Sequence, residues 1–261
     1  MSVQSPPRPG DEASATALYC YGVMRAKAAK RQRGSGLGGK PVEPVVFDEL
    51  AALTSEVPPG KVQAKRADLL RHFDVLGNAF EKGTVLPLRF GIVFGDEGSV
   101  VEDFLRPRHD ELVRLLRELH DRVELRVSAH YRADAVLAEI VQENPRIARL
   151  REATRGRGAS AQPALIELGE LVAAELRART AHDSRALLER LRGFALQYEL
   201  DDEPIENQVL RGSFLVERGR VKVFDAALED FASAQAGRID VKLVGPLPPH
   251  SFVELNHEGR R

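Results

Sequence analysis

Apolar residues recur along this chain with two periods, and the switches between them outline its elements. Ala17 to Met24 mixes aromatic, β-branched and small residues over the length of a strand, and a basic, then glycine-rich stretch follows. Val45 to Phe47 and Leu50 to Leu53 read as two further strands, or a strand and a turn, closed by Pro58, Pro59 and Gly60. From Ala64 to Lys82 the period becomes helical: Leu69, Leu70, Phe73, Leu76, Ala79 and Phe80 recur at three and four, and Gly83 ends the run. TVLPLRFGIVFG, from Thr84, reads as one buried strand whose Pro87 cannot donate to a ladder and so belongs at an edge or a bulge. Asp96 to Asp121 is helical again, with Val100, Val101, Phe104, Leu105, Leu112, Leu115, Leu116 and Leu119 on one face, and Pro107 kinks or divides it.

At Arg122 the period drops to two, with Val123, Leu125 and Val127 alternating against charged neighbours. Helix follows from Ala133 to Arg151, interrupted at Asn144-Pro145, and a second helix from Pro163 runs through a polar interruption at AHDS to Leu191. Two strands, Phe194 to Leu200 and Val209 to Arg218, a helix between Gly219 and Gly237, and a strand from Ile239 to Val244 complete the series, which GPLPPHSFVEL ends abruptly. From Arg122 onward the order is that of a split β-α-β, ferredoxin-like sandwich with extra helices in its first crossover. The chain is therefore expected to be α+β: a disordered tail over 1–15, an N-terminal α+β domain over 16–121, and a ferredoxin-like C-terminal domain with a terminal tail over 122–255.

At about 150 residues per domain, the length of 261 residues fits roughly two domains, or one large one. Balanced charge, 38 basic against 39 acidic side chains, gives −1 and no general field for nucleic acid or an anionic membrane. The single Cys20 allows no internal disulfide and suits the reducing cytoplasm. The first residues lack a signal-peptide pattern, and no segment has 18 uninterrupted apolar residues.

Reactive chemistry is hard to find. His72, His109, His120, His130, His182, His250 and His257 show no H-E-x-x-H or paired short spacing, and read as scattered surface histidines. Cys20, between Tyr19 and Tyr21, reads as a small core filler, and no G-x-S-x-G elbow is present. The pairs Asp201-Asp202 and Asp110-Glu111 read as solvated faces. Arg25, Lys27, Lys30, Arg31 and Arg33 have no phosphate-loop pattern around them and read as a mobile, solvated loop.

What stands out is two proline-bearing strand ends: Leu86-Pro87-Leu88-Arg89-Phe90-Gly91 and Gly245-Pro246-Leu247-Pro248-Pro249-His250-Ser251-Phe252. Together with the opening LYCYGV and the late SFLVER, in this order along nearly the whole chain, they make the sequence resemble the gas vesicle protein F/L family. The terminal motif departs from the usual pattern at Leu247, often aromatic, and at His250, often Tyr.

The resemblance implies a non-enzymatic accessory protein of gas vesicles, in the cytoplasm and at the vesicle, without cofactor or metal. Its implied partners are the small hydrophobic shell protein and other accessory proteins, with no nucleic acid and no lipid membrane. Partner contact is expected at Leu86, Pro87, Arg89 and Phe90, and at Lys242, Val244, Gly245, Pro246, Pro248 and Pro249. The last strand should lie at a sheet edge with unpaired backbone groups; either an incoming strand pairs there until the prolines stop it, or the SFVEL tail folds back and covers the edge itself. Strand alternation puts Arg89 on the opposite face from Leu88 and Phe90, where it is expected either to pair with a carboxylate, buried if the pair is enclosed, or to stand exposed on a solvated sheet face. The rival class is a ligand-binding regulatory module or enzyme, because the ferredoxin-like fold hosts many functions.

Overall fold

The computed structural model describes residues 16–60, 62–157, 161–201, 205–253 and 255. The expected tail over 1–15 lies outside them. The chain divides into two compact units, one of residues 1–122 with 247–261, the other of 123–246. The segment from Leu247 thus groups with the first unit, not with the second as the sequence reading had it.

The first unit runs β1 (Ala17–Arg25), α1 (Ala26–Ala29), β2 (Glu43–Phe47), β3 (Leu50–Val57), α2 (Arg66–Phe80), β4 (Val85–Pro87), β5 (Val93–Phe94), α3 (Glu97–Ser99) and α4 (His109–Glu118). Its sheet has the order β2-β3-β1-β4, with β5 also on β1, and each of these pairs is antiparallel. Central β1 is buried along most of its length, which is why its residues alternate little between apolar and polar. β2 and β3 form a hairpin with Phe47 opposite Leu50, closed by Asp48 at positive φ, a conformation Asp tolerates better than most residues.

The stretch expected as one strand from Thr84 is two. β4 and β5 both pair with β1, and between them Arg89 to Gly91 leaves the ladder, with Gly91 at φ +98°. Pro87 ends the first piece on an edge strand, where its missing N–H costs no ladder bond. Arg89 is exposed on this excursion, so the buried version of its expected ion pair is not formed.

The α2 periodicity was right but its inner face is rotated. His72, Val75, Leu76, Ala79 and Phe80 are buried, whereas Leu70 and Phe73 are exposed. The predicted break at Pro107 separates α4 from a wide helical turn over Val100–Leu105, which buries Val100, Phe104 and Leu105. Asp96 starts this region with a capping box: its carboxylate accepts from Ser99 N at 2.7 Å and its own N–H donates to Ser99 Oγ at 3.0 Å.

Register slips between Cys20 and Gly22 in the β1–β3 ladder, a bulge that brings Gly22 close to β4. A Cβ at Gly22 would stand 2.6 Å from the Leu86 carbonyl oxygen and 3.0 Å from a Leu76 methyl. Gly22→Ala is therefore expected to destabilise by about 1–3 kcal/mol through overpacking. Urea denaturation measures this, and a loss no larger than that of Gly77→Ala, where a Cβ meets open space, would contradict it.

The second unit begins within β6 (Arg122–Tyr131) and continues α5 (Ala133–Glu143), α6 (Pro145–Thr154), α7 (Gln162–Arg192), β7 (Gln197–Leu200), β8 (Gln208–Glu217), α8 (Val221–Ala234) and β9 (Ile239–Leu247). Asn144 separates α5 from α6, its side chain accepting from Arg146 N and Ile147 N, with Pro145 at the first helical position. Sheet order is β7-β8-β6-β9, so β7 and β9 are edges. Phe214 of β8 meets Phe224 of α8 with ring centres 5.3 Å apart, at the core between sheet and helix. β9 extends three residues past the expected end, through Pro246, because a proline on an edge strand need not break the inner ladder.

As the periodicity indicates, α7 runs through the polar AHDS stretch; all four residues are helical, and Asp183 is buried rather than solvated. Tyr131 O–H donates to Asp183 Oδ2 at 2.6 Å, and Arg238 Nη2 lies 2.7 Å from the same oxygen. Arg238 also donates from Nε to Glu139 of α5 at 2.8 Å. These bonds tie α5, α7, β6 and the start of β9 together.

Candidate functional site

Two places gather the residues singled out in the sequence. One is in the first unit, where LYCYGV, LPLRFG and the terminal motif meet. Tyr19 and Tyr21, two apart on β1, direct fully buried rings to one side, 4.9 Å between centres. His72 of α2, only 1% exposed, stacks on Tyr21 at 5.7 Å and meets Tyr19, Phe73 and Phe90 edge-on. Phe73 in turn meets His250 at 5.4 Å.

Hydrogen bonding fixes the protons in this cluster. His72 Nε2 is 3.2 Å from the Leu88 carbonyl, which can only accept, so Nε2 carries the hydrogen. Neutral Nδ1 is then an acceptor, and Tyr19 O–H donates to it at 2.8 Å. Gly91 N–H donates to the Tyr19 oxygen at 3.2 Å. One tyrosine and one histidine therefore hold both ends of the Leu88–Gly91 excursion. Tyr21 does the same for the preceding crossover: its hydroxyl accepts from Leu37 N at 2.7 Å and bonds Ser55 Oγ at 2.7 Å.

Burial, aided by the nearby charge of His250, lowers the His72 pKa to about 4, so the ring is neutral at pH 7. Burial also raises Tyr19 and Tyr21 above the ordinary phenol range and pushes the Cys20 thiol up to about 12. A thiol held that far up is an inert core filler at pH 7. His72 is the correction here, since the sequence reading placed it on the surface. Its spacing to Val75, Leu76 and Ala79, at three, four and seven, was the available signal.

In this unit Leu86, Pro87, Pro248 and Pro249 are buried, Phe90 is half-buried and Arg89 is exposed. The second place is β9, where Lys242, Val244, Gly245 and Pro246 are all exposed on an edge strand of the second unit. Val244 is 41% exposed, high for a valine in a strand. Beside Gly245 the backbone is close: a Cβ there would lie 2.8 Å from the Glu124 carbonyl oxygen, and its φ of +146° suits glycine alone.

Among the described residues, no group of three or more His, Cys, Asp or Glu side chains is placed to hold a metal ion. Among them, too, no helix is long and apolar enough to cross a membrane.

The family described as "Gas vesicle synthesis protein GvpL/GvpF" matches residues 17–254. Gas vesicle protein F of Streptomyces sp. (strain CB03234) is 37% identical over 243 residues, covering 90% of this chain and 99% of the relative. Gas vesicle protein L of the same strain is 30% identical, with 92% and 94% covered. The crystal structure of GvpF from Anabaena sp. PCC7120 superposes with a TM-score of 0.80 at 24% identity, covering 93% of this chain and all of that one. GvpF from Microcystis aeruginosa gives 0.75 at 23% identity, with 92% and 99% covered. Both share the mixed α/β fold with antiparallel sheets.

Proposed function

This chain belongs to the gas vesicle synthesis protein GvpL/GvpF family, and from that premise we propose that it is a non-enzymatic accessory protein of gas vesicle assembly that binds the hydrophobic shell protein. The observation that carries this reading is the family match along residues 17–254, nearly the whole chain. It works in the cytoplasm and at the growing vesicle, with other accessory proteins as further partners.

The physical task suits such a chain. A shell subunit that keeps water from one face exposes aggregation-prone apolar strands before it is assembled, and a highly charged carrier with a free sheet edge shields them. β9 is the docking edge in this reading. Its support is the edge position and the exposure of Lys242, Val244, Gly245 and Pro246. An incoming strand pairs along Ile239 to Val244, and Pro246, without an N–H, limits it there. Pro248 and Pro249 are buried with the first unit and take no part in that stop.

The second unit is read as a ferredoxin-like sandwich with three helices, α5 to α7, in its first crossover. In its favour, the sheet takes its own four strands in the order second, third, first, fourth. A pull-down of the tagged full chain against each product of a gas vesicle gene cluster tests the function. Enrichment of the shell protein is expected, and retention of other products without it would contradict the reading.

A further inference from the structure

The basic stretch after β1 is not the unstructured loop its composition suggests: it holds α1, a helical turn over Leu37–Gly39 and a bridge between Ser35 and Pro41. Residues 25–40 hold six cationic side chains and no carboxylate. Arg25 pairs with Glu49 and Lys40 with Glu56, at 3.3 and 3.2 Å. Among the described residues, Lys27, Lys30, Arg31 and Arg33 have no carboxylate within ion-pair distance. Elsewhere in the unit local pairing is the habit, as in Arg106–Glu102 and Arg114–Glu118.

The frame beneath these cations is built. Gln32, 2% exposed, accepts from Lys82 Nζ at 3.0 Å, which brings a fifth positive charge alongside. Arg33 Nη1 donates to the carbonyls of Lys30 and Gln32 at 2.9 and 2.6 Å. Val42 N–H donates to the Gly34 carbonyl at 3.0 Å, and Gly36 N–H to that of Lys40 at 2.6 Å. The backbone that carries these charges is thus fixed, and Arg33, itself held, loses little freedom when a ligand arrives.

We propose that this surface docks an acidic, extended segment of a partner protein. Beside it lies a cleft of about 460 Å³ lined by Gln32, Arg33, Gly34, Pro41, Glu43 and Pro44. Its far wall begins edge strand β2, so an extended backbone has a neighbour to lie along while its carboxylates meet Lys27, Lys30 and Arg31. A nucleic acid fits less well. No aromatic ring stands among residues 26–40 for bases to stack on, and a chain of net charge −1 offers a long duplex carboxylates beyond the patch.

Fluorescence anisotropy of the full chain with a fluorescein-labelled Glu-rich dodecapeptide tests this, with its Gln analogue and a 12-base-pair duplex as comparison probes. Binding of the Glu peptide is expected, and raising the salt should weaken it. The triple change Lys27→Glu, Lys30→Glu, Arg31→Glu should weaken it at least about tenfold, and the milder Gln triple by less. Arg114→Glu, Arg117→Glu, Arg177→Glu, the same charge change on exposed positions elsewhere, should alter it less than about twofold. Failure of the unmodified chain to prefer the Glu peptide over the Gln one, equal losses from the two Glu triples, or tighter binding of the duplex would each overturn the proposal.

Discussion

Replacing His72 by Phe is expected to cost about 2–4 kcal/mol at pH 7 and close to nothing at pH 4. Phenylalanine fills a similar volume but leaves the Tyr19 hydroxyl without its acceptor and the Leu88 carbonyl without its donor, both in a buried place. Each such orphan costs about 1–3 kcal/mol. The wild-type chain has its own pH-dependent penalty. The folded pKa of His72, about 4, lies below the 6.5 of an unburied imidazole, so as pH falls the unfolded chain takes up the proton first. Stability from this group is therefore complete above about pH 6.5, declines as pH drops toward 4, and levels off below that. The whole decline is about 3 kcal/mol. The variant lacks the group and escapes the decline, which closes the gap between the two proteins. Urea denaturation of both at pH 7, 5.5 and 4 measures it. A gap independent of pH would mean that His72 is not held neutral by burial.

In the second unit the largest loss is expected from Asp183→Ala, about 3 kcal/mol. That change removes the acceptor of a buried tyrosine hydroxyl and one partner of Arg238 together. The figure sits at the low end for breaking a buried ion pair, because Arg238 keeps Glu139 and its side chain is 20% exposed. Asp183→Asn, which retains an acceptor for Tyr131, should lose about half as much. Combining Asp183→Ala with Arg238→Met should cost at least about 1 kcal/mol less than the two single losses added together, since no unpaired charge remains. Denaturant midpoints of the four proteins supply the cycle, and strict additivity would mean that the two side chains do not act as a pair.

Residues with one dominant physical role were legible in the sequence. Pro107 and Asn144-Pro145 divided their helices because proline denies the backbone a donor, and Val123, Leu125 and Val127 alternated because one sheet face is buried. The misreadings came where tertiary contacts replaced the local rule. His72 looked like a surface histidine because a polar ring at an inner helical position is costly unless bonded, and its bonds come from residues 53 and 16 positions away. Asp183 looked like a polar gap in the apolar pattern of its helix for the same reason, its burial depending on Tyr131 and Arg238 far along the chain. In TVLPLRFGIVFG the apolar run hid an excursion, because the tie on Gly91 belongs to Tyr19 on another strand. Of the partner-surface candidates, the exposed edge at Lys242 and Val244 followed from strand order and the burial of Leu86 and Pro87 from their apolar run, whereas the burial of Pro248 and Pro249 depends on packing that no local pattern encodes.

The central proposal is that the shell protein adds a strand to β9, and Val244→Pro addresses it directly. Proline removes the Val244 N–H and crowds the backbone of the neighbouring residue, whichever way the side chain faces. The measurement is the affinity of purified shell protein for the unmodified chain and for the variant, with far-ultraviolet circular dichroism of each chain to confirm equal helix content. The variant should keep its helices and lose binding by a factor of at least about 100, the loss expected when a short ladder is interrupted. A variant that folds and binds the shell protein with unchanged affinity would contradict the proposal and place the docking surface elsewhere on the molecule.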